Sequence, residues 1–253
     1  MKKFRDFAQP WLRQNGIVII FALLVGTLSV LPHLLAVYAL GNEYKGVPFM
    51  YEDNEDYYLT RIREITEGNF FVGSAYFNEY KNTLPIIFPI GEYFYYALYL
   101  VSGISLAHTL VLAKFLFPLI FFLLVYILVH ALTKEEGNDH IRRWTAIASG
   151  LMVTLGIELT EYHVLFSRLF NGTNHEILSI WTRPVNPITG GVMLFAFLNL
   201  LWQSMFHSSW KYNVAAGIIL GLSVGYIFSF ALAFTILGIL IIFALTAKEF
   251  DLA

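Results

Sequence analysis

The 253-residue sequence contains no cysteine. Disulfides, thiolate nucleophiles and cysteine-ligated metals are therefore excluded. Charge is scarce as well, with only 13% of residues charged, against about a quarter in a soluble domain. No basic excess exists, since the formal net charge is -2, and a nucleic-acid partner lacks its electrostatic footprint. The sequence has no Walker loop, no GxSxG and no HExxH, so the phosphate-cradle, serine-elbow and zinc-helix chemistries lack their motifs. No internal repeat or low-complexity linker is visible.

Apolar residues fill the space that charge leaves. They make up 57% of the chain, and aromatics 17%. This composition fits lipid as the main solvent, with Tyr and Trp enriched at the two interfaces. Seven apolar segments are predicted: Gly16 to about Leu40, Pro85 to about Val101, Phe115–Leu132, Trp144 to about Leu159, Ile188 to about Met205, Val214 to about Phe228, and Ala231–Ala247. A bilayer crossing needs about 20 residues. The expected architecture is all-α, one polytopic transmembrane bundle over residues 1–253. Pro85–Val101, short and carrying Glu92, is the weakest of the seven.

Lys2, Lys3, Arg5 and Arg13 precede the first segment. They predict a cytoplasmic N-terminus and a retained anchor in the cytoplasmic (inner) membrane. Residues 41–84 then form the first external loop. If Pro85–Val101 only dips into the bilayer, nine Lys and Arg fall inside and seven outside; seven full crossings invert the counts.

The external loop is the informative stretch. Nine of the 18 acidic residues lie between Glu43 and Glu92. Asp53 to Glu67 reads as a helix, capped by Asp53 or Asn54 and stopped by Gly68. Tyr58, Ile62 and Ile65 form an apolar stripe, which predicts a helix lying on the membrane surface, stripe down. Four carboxylates crowd its start: Glu52, Asp53, Glu55 and Asp56. Three roles are open to them. Mutual repulsion can poise one as a proton acceptor; hard oxygens can hold a divalent cation; or the acids simply complement the helix dipole. Arg61, Arg63 and Glu64 are read as surface ion pairs. Lys81, and Arg183 in Arg183-Pro-Val-Asn-Pro187, are candidate phosphate contacts, Arg183 by two parallel hydrogen bonds or simply as a snorkelling side chain. Lys114 is placed near the mouth of the third segment. His163, His175 and Glu176 are read as ordinary loop residues, and Asn171-Gly-Thr173 as a weak glycosylation match.

In this order, the features resemble the GT-C superfamily of membrane glycosyltransferases, including protein O-mannosyltransferases and aminoarabinose transferases. Asn54-Glu-Asp-Tyr-Tyr58, Arg63-Glu64 and Gly68 stand where relatives carry D-E-x-x-Y, an R-E pair and a glycine. Pro85, Pro89 and Gly103-Ile-Ser105 are similar to the run entering the family's next spans, and Gly221-Leu-Ser-Val-Gly-Tyr226 to pieces of bacterial members. The resemblance implies transfer of a sugar from a polyprenyl-phosphate donor to an acceptor hydroxyl or amide. It implies Asp56 as first choice for the general base, with Asp53 and Glu55 behind it, because Asn54 occupies the family's Asp position. Arg63, Lys81 and Arg183 would contact the lipid phosphate or sugar. Metal dependence varies within the superfamily, which leaves a divalent cation open. Relatives are commonly much longer, so the chain is expected to be a fragment holding the shared helical module. The alternative is a non-enzymatic transporter, flippase-like or scaffold protein of envelope assembly. Against transport, nearly every charge falls in a loop or at a span end.

Overall fold

The computed structural model describes residues 2–46, 55–74, 77–80, 83–85, 87–134, 137–160, 163, 180–206 and 209–246. Among these residues there are eight α-helices and no strand: α1 Lys2–Leu40, α2 Glu55–Thr66, α3 Ile90–Ser102, α4 Leu106–Leu132, α5 Asp139–Thr160, α6 Ile188–Phe206, α7 Trp210–Leu222 and α8 Ile227–Thr246. The helical class is thus as the composition predicts. Lipid cannot hydrogen-bond backbone groups, and a helix satisfies them internally.

Four stretches are long and apolar enough to cross a bilayer: Asn15–Glu43, Leu106–Leu132, Ile188–Phe206 and Ile227–Thr246. The chain is therefore a helical membrane protein, but the described helices do not supply seven such spans. α3 and α7 have 13 residues each, or about 20 Å of helix against a hydrocarbon core of about 30 Å. The predicted Val214–Phe228 segment is interrupted by a tight turn at Ser223–Gly225. The apolar part of α5 lies between Arg143 and Glu158, short of the roughly 20 residues a crossing requires. α8 leaves Phe234, Ile239, Ile242 and Phe243 more than half exposed, a surface suited to acyl chains rather than water.

The chain divides into two compact units. The first comprises Met1–Asp56 and Leu98–Pro184, the second Tyr57–Ala97 and Val185–Ala253. In the first unit α4 packs against both α1 and α5. Val18, Ala22 and Val25 of α1 meet Phe122 and Tyr126 of α4 and Ala146 and Ile147 of α5. Small residues let these helices approach closely. A methyl group on Gly26 would come within 2.7 Å of the Phe115 carbonyl oxygen, and one on Gly150 within 2.7 Å of the Phe122 ring. Gly26→Ala is expected to lower stability by about 1–3 kcal/mol through overpacking, read as an earlier thermal unfolding of the detergent-solubilised chain.

α4 begins well before the predicted segment. Ser105 caps it, its Oγ accepting the His108 N–H. Lys114 consequently lies inside the helix rather than at the mouth of a span. The cause is the largely apolar run Leu106–Ala113, which extends the helix about two and a half turns ahead of Phe115.

In the second unit α6 packs on α7 and α8 around Leu194, Phe197, Ala216 and Ala233. A methyl group on Gly190 would strike the Tyr226 ring and come within 2.7 Å of Ser229 Oγ. α2 ends as its sequence predicts. Gly68, at φ 98°, takes the left-handed conformation that glycine tolerates. Asn69 N–H then reaches Glu64 O at 2.9 Å and Gly68 N–H reaches Ile65 O at 3.1 Å, a Schellman closure. Asp53 and Asn54, the predicted caps, lie outside the described residues.

The orientation of α2 departs from expectation. Ile62 and Ile65 are wholly covered by protein, so the stripe does not lie on lipid. Arg61 shares that face, at the i+3 position from Tyr58, and is buried with it. A guanidinium is expensive among acyl chains, whereas protein offers it a carboxylate partner.

Candidate functional site

The acidic start of α2 separates its two described carboxylates. Neighbouring residues on a helix point about 100° apart. Glu55 is 1% exposed, while Asp56 is exposed. Glu55 Oε1 lies 3.5 Å from Arg183 Nε, with the two side chains 2% and 14% exposed. Both residues belong to the first unit.

Arg183 is held there by what precedes it. The turn Ile180–Thr182 is pinned by Trp181, whose ring packs against Phe121 at 4.6 Å. The Trp181 Nε1–H donates to Val153 O at 3.0 Å. One aromatic side chain thus ties the turn to α4 and α5, and Arg183 follows it. Lys114 of α4 and His33 of α1 also belong to the first unit. The His33 ring meets Tyr44 edge-on at 6.4 Å between centroids. The Glu55–Arg183 pair offers a carboxylate able to accept a proton and a guanidinium able to stabilise an anion.

No protein-family model, curated protein or solved structure matches this chain.

The other predicted residues fare differently. Asp53 and Lys81 lie outside the described residues. Arg63 is exposed, and its Nε donates to Glu67 at 2.9 Å, one turn along the helix. That hydrogen bond and the Glu67 charge raise the guanidinium's pKa. Arg63→Ala is expected to leave the thermal unfolding temperature nearly unchanged, since exposed pairs of this kind contribute little. Among the described residues no group of three or more His, Asp or Glu is placed to hold a metal ion. His163 is exposed; His175, Glu176 and Asn171–Thr173 lie outside the described residues.

Sequence reasoning missed a buried ion pair in the second unit. Arg61 Nε donates to Glu92 Oε1 at 2.5 Å, with the side chains 2% and 4% exposed. Arg61 Nη1 donates to Tyr57 Oη and Nη2 to Ile87 O, each at 2.8 Å. Burial pushes the Glu92 carboxyl above the usual carboxylate range, and the Arg61 charge opposes that push. Arg61 is therefore not a surface charge; only Arg63 of the predicted surface set pairs as a neighbour on the helix. The signal was available in the spacing: Arg61 falls between Tyr58, Ile62 and Ile65 on the apolar face, and Glu92 stands alone in an apolar run.

Proposed function

We propose that the chain is a membrane glycosyltransferase of GT-C type, moving a sugar from a polyprenyl-phosphate donor to an acceptor at the outer face of the cytoplasmic membrane. The observation that carries this reading is the buried Glu55 carboxylate facing Arg183 in a protein built of apolar helices. In this reading Glu55, rather than the exposed Asp56, is the general base. It takes the proton of an acceptor hydroxyl as that oxygen attacks the anomeric carbon. The bond from that carbon to the phosphate oxygen breaks, and the electron pair leaves with the polyprenyl phosphate. Positive charge on Arg183 stabilises the departing phosphate. The sugar passes through an oxocarbenium-like transition state, as in related glycosyl chemistry. The basic residues Lys2, Lys3, Arg5 and Arg13 support a cytoplasmic N-terminus. The partners are a lipid-linked sugar donor and the surrounding membrane lipids; a divalent cation is tested by adding chelator.

The purified chain in proteoliposomes, given labelled polyprenyl-phosphate sugars, is expected to release polyprenyl phosphate and pass the label to an acceptor hydroxyl. No release from any donor of a hexose and pentose panel would overturn the reading. A transporter or flippase-like role is the second reading. Lys114 and His33 favour it, because both lie inside apolar helices, where ionisable groups often mark a pathway. The same vesicles separate the two: movement of the labelled lipid between leaflets without a glycosylated product supports transport.

A further inference from the structure

The second unit carries an apolar surface that none of its spanning helices supplies. Between α2 and α3, Phe71, Phe77, Tyr80, Leu84, Ile87 and Phe88 are each more than half exposed. All six lie in the Tyr57–Ala97 part of that unit, and none is in an α-helix. An exposed apolar patch of this size marks a contact with protein or membrane.

Three observations say what covers it. The first is its place. The segment starts and finishes against the first turns of α3. Tyr93 Oη donates to Phe70 O at 2.8 Å, and the Phe70 ring meets Tyr96 edge-on at 5.7 Å between centroids. Ile90 opens α3, and a methyl group on Gly225, just ahead of α8, would come within 2.8 Å of the Ile90 Cβ. A methyl group on Gly91 would come within 2.8 Å of Thr189 Oγ1, in the first turn of α6. The starts of α6 and α8 adjoin as well, through Gly190 and Tyr226. Both helices are long and apolar enough to cross a bilayer. The segment therefore emerges where two spanning helices begin, at the lipid–water boundary.

The second observation is the backbone. The chain closes on itself, for a methyl group on Gly73 would strike the Tyr80 carbonyl oxygen and Thr83. Phe77 N–H donates to Ser74 Oγ at 3.1 Å, and Tyr80 N–H to Phe77 O at 3.0 Å. Thr83 donates twice to Tyr80 O, from its N–H at 3.1 Å and its hydroxyl at 2.7 Å. Backbone groups bonded within the loop need no water, which is the condition for entering an apolar layer. The third observation is composition. Rings and aliphatic side chains together suit the headgroup–acyl boundary. Glu79, exposed beside Tyr80, limits the depth, because a carboxylate is costly among acyl chains.

We infer that residues 70–88 form an interfacial anchor, their apolar side chains set among the headgroups and upper acyl chains of the leaflet where α6 and α8 begin. A depth of about 5–10 Å suits such an element. α2, joined to α3 through Arg61 and Glu92, is thus held at the bilayer by the loop that follows it rather than by its own apolar stripe. The inference needs no transferase activity, and its failure would leave that reading unchanged.

The absence of cysteine allows a single nitroxide label at each chosen position of the full chain in phosphatidylcholine–phosphatidylglycerol nanodiscs. Phe77→Cys, Leu84→Cys and Phe88→Cys report on the anchor. Arg63→Cys, exposed on α2, is the water reference, and Ile239→Cys, exposed on α8, the lipid reference. Power-saturation EPR compares collisions with oxygen, which concentrates in lipid, and with a nickel chelate, which stays in water. At the three anchor positions the oxygen-to-nickel ratio is expected to be several-fold above that at Arg63 and below that at Ile239. The unsubstituted chain gives a second measurement: a lipid carrying a diazirine high on its acyl chain is expected to modify the peptide that contains Leu84. Labels matching Arg63 at two or more positions would place the loop in water. Labels screened from both reagents at two or more positions would place it under protein. Either result overturns the inference, as does an unmodified Leu84 peptide.

Discussion

Replacing Glu55 with glutamine is expected, on the transferase proposal, to slow sugar transfer by about 10²–10⁴-fold, the usual worth of a positioned general base. Glutamine keeps the size of the side chain and its reach toward Arg183, but it cannot take a proton from the acceptor. The helix should therefore form and the protein insert normally, which size-exclusion behaviour and membrane extraction would report. Asp56→Asn is the internal comparison. Its side chain is exposed, and its loss is expected to leave transfer largely intact. The reverse result, a silent Glu55→Gln and an inactive Asp56→Asn, would return the base to the residue that the motif alone favours. If both variants stay active, the proton acceptor is elsewhere, with Asp53 next to be changed.

The second large effect concerns stability. Arg61→Met is expected to destabilise the protein by about 3–5 kcal/mol, because Glu92 is then left buried without its partner. Two further hydrogen bonds from the guanidinium, to Tyr57 and Ile87, disappear with it. The double variant Arg61→Met, Glu92→Leu should recover much of that loss, since a buried pair exchanged for apolar side chains of similar volume is often neutral. Thermal unfolding of the single and double variants in one detergent measures the coupling. Additive losses would show that the two side chains stabilise the unit separately and that the 2.5 Å contact contributes little.

The sequence made the helical class readable because long apolar runs without turn residues have few alternatives in lipid. It also made the end of α2 readable to within one residue, since Gly68 marks its stop. Rotation about the helix axis was harder. Glu55 and Asp56 are equivalent as letters in a motif, and only the position of Arg183, set by Trp181 from a distant segment, decides which of them is buried. Lys114 was misplaced for a related reason. Hydropathy averaging blurs the ends of a span, while the cap at Ser105 fixes where α4 starts. The pairing of Arg61 with Glu92 joins positions 31 residues apart, and no local pattern links them, although each was anomalous in its own surroundings.

The close approaches at Gly26, Gly150 and Gly190 carry a consequence for how this protein tolerates variation. A change from glycine to leucine at any of them makes the segment look more lipid-compatible on every transfer scale. It would nevertheless wedge neighbouring helices apart, because acyl chains are as greasy as leucine and give the displaced helix no incentive to return. Natural variants at these three sites will therefore be purged or restricted to the smallest side chains, even though insertion into the bilayer itself remains unimpaired.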